Sequence, residues 1–308
     1  MTLVIDFGTV NTVAVLDGRL VTVDGAPWIP SAVYAGDGGV VVGVDAVALA
    51  RGSGADRLVT GSADAVFARL VSAARAQGDV DELVLTHPVG WGPDRVGELV
   101  SAAQGLAPRV RTVPEPVAAA AGLGLDVGES VLVVDAGGGT SCVAVVRRDP
   151  GGFVVLAEGT VSTGGADLDQ RIVDRVSPSL RSPADDPGTR LALRDSARAG
   201  KELLSRHESA EIVLPDHRAV RLDRTEFERL IAADVEDVVT LAATVAGQLY
   251  FSRVLLVGGS SQVPLVASRL AAASGRPIVA APEPETAVAR GARSCLMDHR
   301  GRTDTVSP

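Results

Sequence analysis

The stretch that most restricts this chain is VLVVDAGGGTSCVAVV, Val131 to Val146. Four apolar residues run into an acid, three glycines and a threonine follow, and a second apolar run completes it. The pattern predicts a buried strand, a tight glycine turn and a returning strand. Gly137, Gly138 and Gly139 carry no Cβ, so peptide N–H groups at the tip can approach an anion closely. Asp135 stands at the mouth of the turn, where a carboxylate can hold a hydrated Mg²⁺ beside phosphates. Alone, the stretch reads equally well as an ordinary glycine hairpin.

The chain carries the device twice. Leu3 to Leu16, LVIDFGTVNTVAVL, repeats the order of apolar strand, Asp6, Gly8, Thr9 and second strand, so Asp6 matches Asp135 and Gly8 matches Gly137. A third glycine device, VLLVGGSSQV at 254–263, leads an apolar strand into Gly258 and Gly259, with Ser260 and Ser261 opening a helix. Internal repetition dominates a fold assignment. Two hairpins facing each other put two carboxylates and two glycine tips around one cleft, an arrangement suited to a Mg·nucleotide.

With these segments in order, the sequence resembles the nucleotide-binding domain of Hsp70 chaperones, within the actin/hexokinase/Hsp70 superfamily. The phosphate-1 motif resembles IDFGTVNTVAV at 5–15, phosphate-2 VVDAGGGTSCVAV at 133–145 and the adenosine motif VLLVGGSSQVP at 254–264. PEPVAAAAG at 114–122 and PEPETAVARGA at 282–292 resemble the connecting helices, and STGGADLDQRIVD at 162–174 the segment after phosphate-2. The resemblance runs from residue 3 to about 296. It implies an α/β, two-lobed actin-like ATPase fold of duplicated ribonuclease-H-like sheets with helices on both faces and trimmed outer subdomains. Lobe I would span 1–125 with 282–297 returning to it, lobe II 126–281, and 298–308 would be a polar, frayed tail.

Composition narrows the functional classes. With 38 acidic against 29 basic residues the net charge is −9, which argues against a nucleic-acid surface. No apolar run is long enough to insert into a membrane, and Asp6 and Gly8 interrupt any signal-peptide core. Cys142 and Cys295 are the only cysteines and lack metal-ligand spacing, as expected in a reducing cytoplasm. Lys201 is the one lysine beside 28 arginines, and with abundant Ala, Gly and Val this suggests a high-G+C bacterial genome.

Along the chain, Arg19–Val44 reads as short strands, 45–54 as a short helix, 55–61 as loop and 63–77 as a helix. A strand at 81–88, a helix at 92–105 and a strand at 109–113 follow. His87 reads as the end of a strand and Trp91 as a packing anchor. Pro116 suits the first turn of a helix that Gly122 ends, with Glu115 just before it. After a strand at 152–160, a helix starts at Ala166 or Asp167, and 177–188 is loop. Helix 191–206 sets Lys201 and Ser205 on one face. A hairpin at 211–222 precedes a helix to about Ala246, entered through a Thr225/Glu228 capping box. A strand at 253–257 and a helix at 284–296 complete the chain.

The resemblance implies roles for particular residues. Asp6 and Asp135 would hold Mg²⁺ through water; Glu115 would orient the attacking water, with Asp135 and Thr140 also in the catalytic set. Gly8, Thr9, Gly137, Gly138, Gly139, Thr140, Gly164 and Gly165 would face the phosphates. Lys201, Ser205, Gly258, Gly259, Ser260 and Glu285 would face the rest of ATP or ADP. Three departures stand out. Val10 replaces a threonine hydroxyl, Cys142 replaces an aspartate, and no lysine precedes 201 to reach the γ-phosphate, although an arginine such as Arg57 is available. Arg198 and Glu202 reverse the charges expected beside the adenosine. The expectation is ATP binding with slow or absent hydrolysis, coupled to a protein partner or a C-terminal domain of a longer chain. A true ATPase or small-molecule kinase, a filament-forming actin relative and a nucleotide-free scaffold, for example in a bacterial secretion or envelope system, remain as alternatives.

Overall fold

The computed structural model describes residues 1–36, 39–53, 58–60, 62–181 and 186–300. The first hairpin forms β1 (Thr2–Phe7) and β2 (Asn11–Leu16), joined by β3 (Arg19–Leu20) and β4 (Trp28–Pro30). A small sheet follows, of β5 (Ala32–Gly36), β6 (Gly39–Val42) and β7 (Leu58–Thr60), with α1 (Val44–Ser53) against it. Then come α2 (Ala63–Arg75), β8 (Glu82–His87), α3 (Pro93–Ala102), β9 (Arg109–Pro114) and α4 (Glu115–Gly122). The second half opens with β10 (Ser130–Ala136), β11 (Ser141–Asp149), β12 (Gly152–Val161), α5 (Gly165–Val176) and α6 (Pro187–Leu204). It continues through β13 (Ser209–Val213), β14 (Ala219–Asp223), α7 (Arg224–Leu230), α8 (Ala232–Ala246) and β15 (Val254–Val257). It closes with α9 (Pro264–Ser274), β16 (Ile278–Ala280) and α10 (Ala287–Arg300).

The two large sheets share one topology. Their orders are β3-β2-β1-β8-β9, with β4 also on β2, and β12-β11-β10-β15-β16. Each has an antiparallel hairpin at its centre and two parallel strands beyond it. The hairpin registers match as well, pairing Asp6 with Val13 and Asp135 with Cys142. The fold is therefore the duplicated, two-lobed α/β architecture expected from the motifs.

Both faces of each sheet are covered, which is why the central strands are continuous apolar runs and not alternating ones. In β1, Leu3 and Ile5 face α2 and α3, whereas Val4 faces inward. In β10, Leu132 and Val134 face the core built with α5 to α9, whereas Val131 and Val133 face inward. The inward faces meet one core that also holds Ala118, Ala119 and Ala120 of α4 and Val288, Ala289 and Ala292 of α10. These two helices cross so closely that a Cβ on Gly291 would lie 2.0 Å from the Ala118 carbonyl oxygen. Only glycine permits that crossing. Leu191 of α6 packs against the Ala32, Tyr34, Ala46 and Ala50 cluster, giving the lobes a second contact.

Several boundaries differ from expectation. Leu58–Thr60 is a strand on β5 instead of loop. Helix α6 begins at Pro187, because Asp186 accepts the Thr189 N–H at 2.8 Å and proline suits the first turn. There is no Thr225/Glu228 capping box: β14 runs to Asp223, α7 starts at once, and Asp223 makes no side-chain cap bond. One long helix is instead two, broken at the fully buried Ile231, where φ is −96° and ψ 3°. Helix α10 starts at Ala287 because the Pro284 carbonyl accepts the Gly258 N–H (2.8 Å) and holds that segment in a turn. It continues to Arg300, into the expected tail; residues 301–308 lie outside the described residues, as does Arg57.

Candidate functional site: a carboxylate-floored cleft between two glycine tips

The two hairpin tips meet. A Cβ on Gly138 would fall 2.4 Å from Val10 Cγ2, and one on Gly139 would fall 2.8 Å from Thr9 Cγ2, so the second tip lies directly on the first. Around them opens a cleft of about 270 Å³. It is lined by Asp6, Gly8, Thr9, Glu115, Asp135, Gly137, Gly138, Gly139, Thr140, Gly165, Lys201, Ser205, Gly258, Gly259, Ser260 and Glu285. Of the described residues given a role at the phosphates, the metal or the rest of the nucleotide, all border one space with one exception.

That exception is Gly164. A Cβ there would meet Gly139 C and Thr140 N at 2.7 Å, so this glycine backs the second tip and does not face the cleft. The next two residues complete the support: Gly165 N–H donates to the Gly137 carbonyl (3.0 Å) and Ala166 N–H to that of Gly138 (2.8 Å). The Ser260 hydroxyl also donates to the Gly137 carbonyl, at 2.9 Å. At the first tip the equivalent support is Ser31, which no motif or spacing singles out. Its hydroxyl donates to the Gly8 carbonyl (2.6 Å) and its N–H to that of Val10 (2.8 Å), while Thr12 Oγ1 lies 2.8 Å from Ser31 Oγ.

The cleft floor carries three acids. Asp135 is pushed up to about 7, first by burial and then by repulsion from Asp6. Asp6 is also raised by burial, but only to about 6, because the Thr86 hydroxyl donates to its Oδ1 at 2.6 Å. Glu115, which opens α4, is held well above the ordinary carboxylate range by burial and by both aspartates. Three mutually repelling acids with raised pKa values fit a divalent cation, which would remove the repulsion. Among the described residues no group of three or more His, Cys, Asp or Glu side chains could ligate a metal directly. A hydrated ion held by Asp6 and Asp135 through water is the arrangement that fits, since Mg²⁺ usually keeps several waters.

Cys142, opposite Asp135 in register, adds no charge: burial raises its thiol to about 11, and Sγ lies 3.4 Å from Thr160 Oγ1. Lys201 points elsewhere. Its ammonium bonds the Gly165 carbonyl and pairs with Asp169, both at 2.8 Å, tying α6 to α5. Asp169 went unnoticed in the sequence, although a buried lysine requires such a partner. The Ser205 hydroxyl donates to the Lys201 carbonyl (2.9 Å), and Gln262 Nε2 reaches Glu285 at 3.3 Å. His87 ends β8 beside Pro88, and Trp91 packs under the Arg95 guanidinium, 4.4 Å from its ring centre.

Comparison with known proteins agrees with this geometry. The family model described as Hsp70 protein matches residues 69–303. The chain belongs to the Hsp70 family. Chaperone protein HscA of Yersinia enterocolitica is 33% identical over 246 residues, covering 75% of this chain and 39% of the relative. HscA of Enterobacter sp. strain 638 is 33% identical over 237 residues, covering 71% and 37%. HscA of Citrobacter koseri is 33% identical over 251 residues, covering 75% and 39%. The chain thus spans about two fifths of the length of these relatives. The Hsp70 match begins beyond the first hairpin, so the first glycine tip stands on the duplicated geometry. Among the described residues, no helix is long and apolar enough to cross a membrane.

Proposed function

We propose that this chain is an Hsp70-type nucleotide-binding module. It takes Mg·ATP between its lobes, hydrolyses it slowly or not at all, and passes the closed state to a protein partner or to a C-terminal domain of a longer chain. The observation that carries the reading is the meeting of two glycine tips over three half-buried acids, with no lysine before 201. When bound, Mg²⁺ would supply charge neutralisation beside the phosphates. Asp6 and Asp135 would hold its water shell, the two tips would offer peptide N–H groups, and Thr9 and Thr140 hydroxyls.

Slow turnover follows from what the residues lack. Phosphoryl transfer depends on positioning and on neutralising charge. Lys201 is already paired with Asp169 and the Gly165 carbonyl, and Cys142 is a neutral thiol. Glu115, the acid that would orient water, has its carboxyl pushed well above the ordinary range by desolvation and by repulsion from Asp6 and Asp135, which makes its ionised form harder to reach. The role is that of a hinge switch, related to chaperones and working in the cytoplasm, where Cys142 and Cys295 would stay as the free thiols observed.

A nucleotide-free scaffold is the second reading, favoured by the direct packing of Val10 on Gly138. A time course of protein-bound nucleotide separates the two. After brief incubation with labelled Mg·ATP and removal of the excess, persistent bound ATP is expected. Conversion to ADP within minutes would make the chain a working ATPase. Absence of bound label, together with no signal in direct titration, would leave the scaffold.

A further inference from the structure

Among the described residues, the cleft has one cation that reaches from one lobe to the other. Arg198 lies on α6 in the second lobe and lines the cleft. Its guanidinium Nη2 donates to the side-chain oxygen of Asn11, the first residue of β2, at 2.8 Å. This holds with the Asn11 amide oriented so that its nitrogen donates to the Val10 carbonyl (3.2 Å), the orientation that satisfies both ends. Arg198 thus crosses the opening and ends at the first glycine tip, beside the Val10–Gly138 contact. Its second partner is Glu202, 3.2 Å from Nε and 61% exposed, a weak surface pair on the same helix.

The other two bases lining the cleft are placed differently. Lys201 is consumed by Asp169 and the Gly165 carbonyl, and Arg206 sits on the far side, 3.5 Å from Gln262. Among the described residues, the phosphate pole therefore sets Asp6, Glu115 and Asp135 against two cations, Lys201, which is held at the second tip by Asp169 and the Gly165 carbonyl, and Arg198, which rests on a neutral amide at the first. A nucleoside triphosphate with one Mg²⁺ still carries net negative charge, and a tip pair built from glycine, valine and threonine cannot neutralise it. A guanidinium resting on a neutral amide oxygen gains by moving to phosphate oxygens, which it bonds through two parallel N–H groups.

We propose that Arg198 is the phosphate-binding cation of this cleft: on nucleotide entry it leaves the Asn11 oxygen for the polyphosphate chain, and so sets the preference for nucleoside di- and triphosphates over the nucleoside. The assignment rests on the nucleotide-binding reading above and exchanges a contact that already spans the lobes for one to a ligand held between them. It also locates charge that the absent first-lobe lysine would have supplied on the opposite lobe.

Calorimetric titration of ATP, ADP and adenosine in excess Mg²⁺ tests it, using the unaltered chain, Arg198→Ala, Arg198→Lys and Arg198→Glu. Arg198→Ala is expected to weaken ATP and ADP by roughly ten- to a hundredfold, with adenosine changed by less than about twofold. Arg198→Lys should recover part of the loss, since it keeps the charge without the fork, and Arg198→Glu should lose most. Arg198 is one-third exposed, one partner is the exposed Glu202 and the other the neutral amide of Asn11, so all three variants should fold; the melting temperature of each is the check. Equal weakening of adenosine and ATP, or unchanged ATP affinity in Arg198→Ala and Arg198→Glu, overturns the assignment while leaving nucleotide binding intact. If the unaltered chain binds none of the three, the nucleotide reading falls, and this assignment falls with it.

Discussion

The two glycine hairpins are the same device set in different surroundings. Both put an aspartate seven residues before its cross-strand partner, and in both the first tip glycine sits against a backbone oxygen three residues on, Asn11 O for Gly8 and Thr140 O for Gly137. Their supports differ. The first tip leans on Ser31, the second on Gly165, Ala166 and Ser260. Their acids differ too: Asp6 has the Thr86 hydroxyl and titrates near 6, whereas Asp135 faces Asp6 without such a donor and titrates near 7. Repeating the chain therefore repeats the backbone and the position of the charge, while neighbours from outside the repeat decide rigidity and proton affinity.

The sharpest way to break the comparison is to remove one acid at a time. Asp135→Ala is expected to abolish Mg·ATP binding, a loss of at least about a hundredfold, since a charge-bearing partner of the ion disappears. Asp6→Ala should cost comparably if the two repeats share the ion equally. Unchanged affinity in Asp135→Ala, measured by titration, would remove the cleft from consideration as the nucleotide site.

The supports come next in size. Ser31→Ala removes a buried donor and leaves the Gly8 carbonyl without that bond, which should cost about 1–3 kcal/mol of stability. Ser260→Ala removes one of two donors to the Gly137 carbonyl, and about 0.5–1.5 kcal/mol is expected. Chemical denaturation of both variants measures the difference; a larger loss in Ser260→Ala would mean that the second tip is the more fragile one.

What the sequence made legible follows this division. Asp6 and Asp135, the tip glycines and the two hairpins were readable because they recur at fixed spacing within the repeat. Glu115 was readable from its place beside a proline-started helix. Ser31, Thr86 and Asp169 were not, since each acts on a group 23, 80 or 32 residues away along the chain with no periodicity to announce it. Gly164 was misread because a glycine that admits a ligand and a glycine that admits another backbone look alike in a sequence. The break at Ile231 was invisible because helical spacing continues through it, with no glycine or proline to mark it.

Protonation gives a further contrast. Both aspartates have folded-state pKa values above the ordinary carboxylate value, so the folded ligand-free protein prefers them protonated. Ionising them opposes folding, and that cost grows as pH rises from about 4 through 6 for Asp6 and 7 for Asp135. From these two groups, the melting temperature of the ligand-free chain should fall between pH 5.5 and 7.5. Added Mg²⁺ should offset the fall increasingly toward the upper end, because only the ionised pair attracts it. A Mg²⁺ effect that is constant across the range would mean that the ion binds elsewhere.

The smallest effect isolates the cause of the difference between the two acids. Thr86 lies on β8, parallel to β1, and its hydroxyl reaches Asp6 across the strand pair with a 2.6 Å bond. Thr86→Val keeps the shape and the β-branch but deletes the donor. The charged form of Asp6 then loses its hydrogen bond, and its pKa should move up by as much as about one unit, toward that of Asp135. The pH at which Mg²⁺ begins to stabilise the protein should rise with it, while the titration of Asp135, followed by carboxyl-carbon NMR, should change less. If Asp6 did not move in Thr86→Val, the hydroxyl would be packing and not tuning. The lower proton affinity of Asp6 would then have to come from its position at the outer side of the charge cluster, where Glu115 and Asp135 repel it unequally.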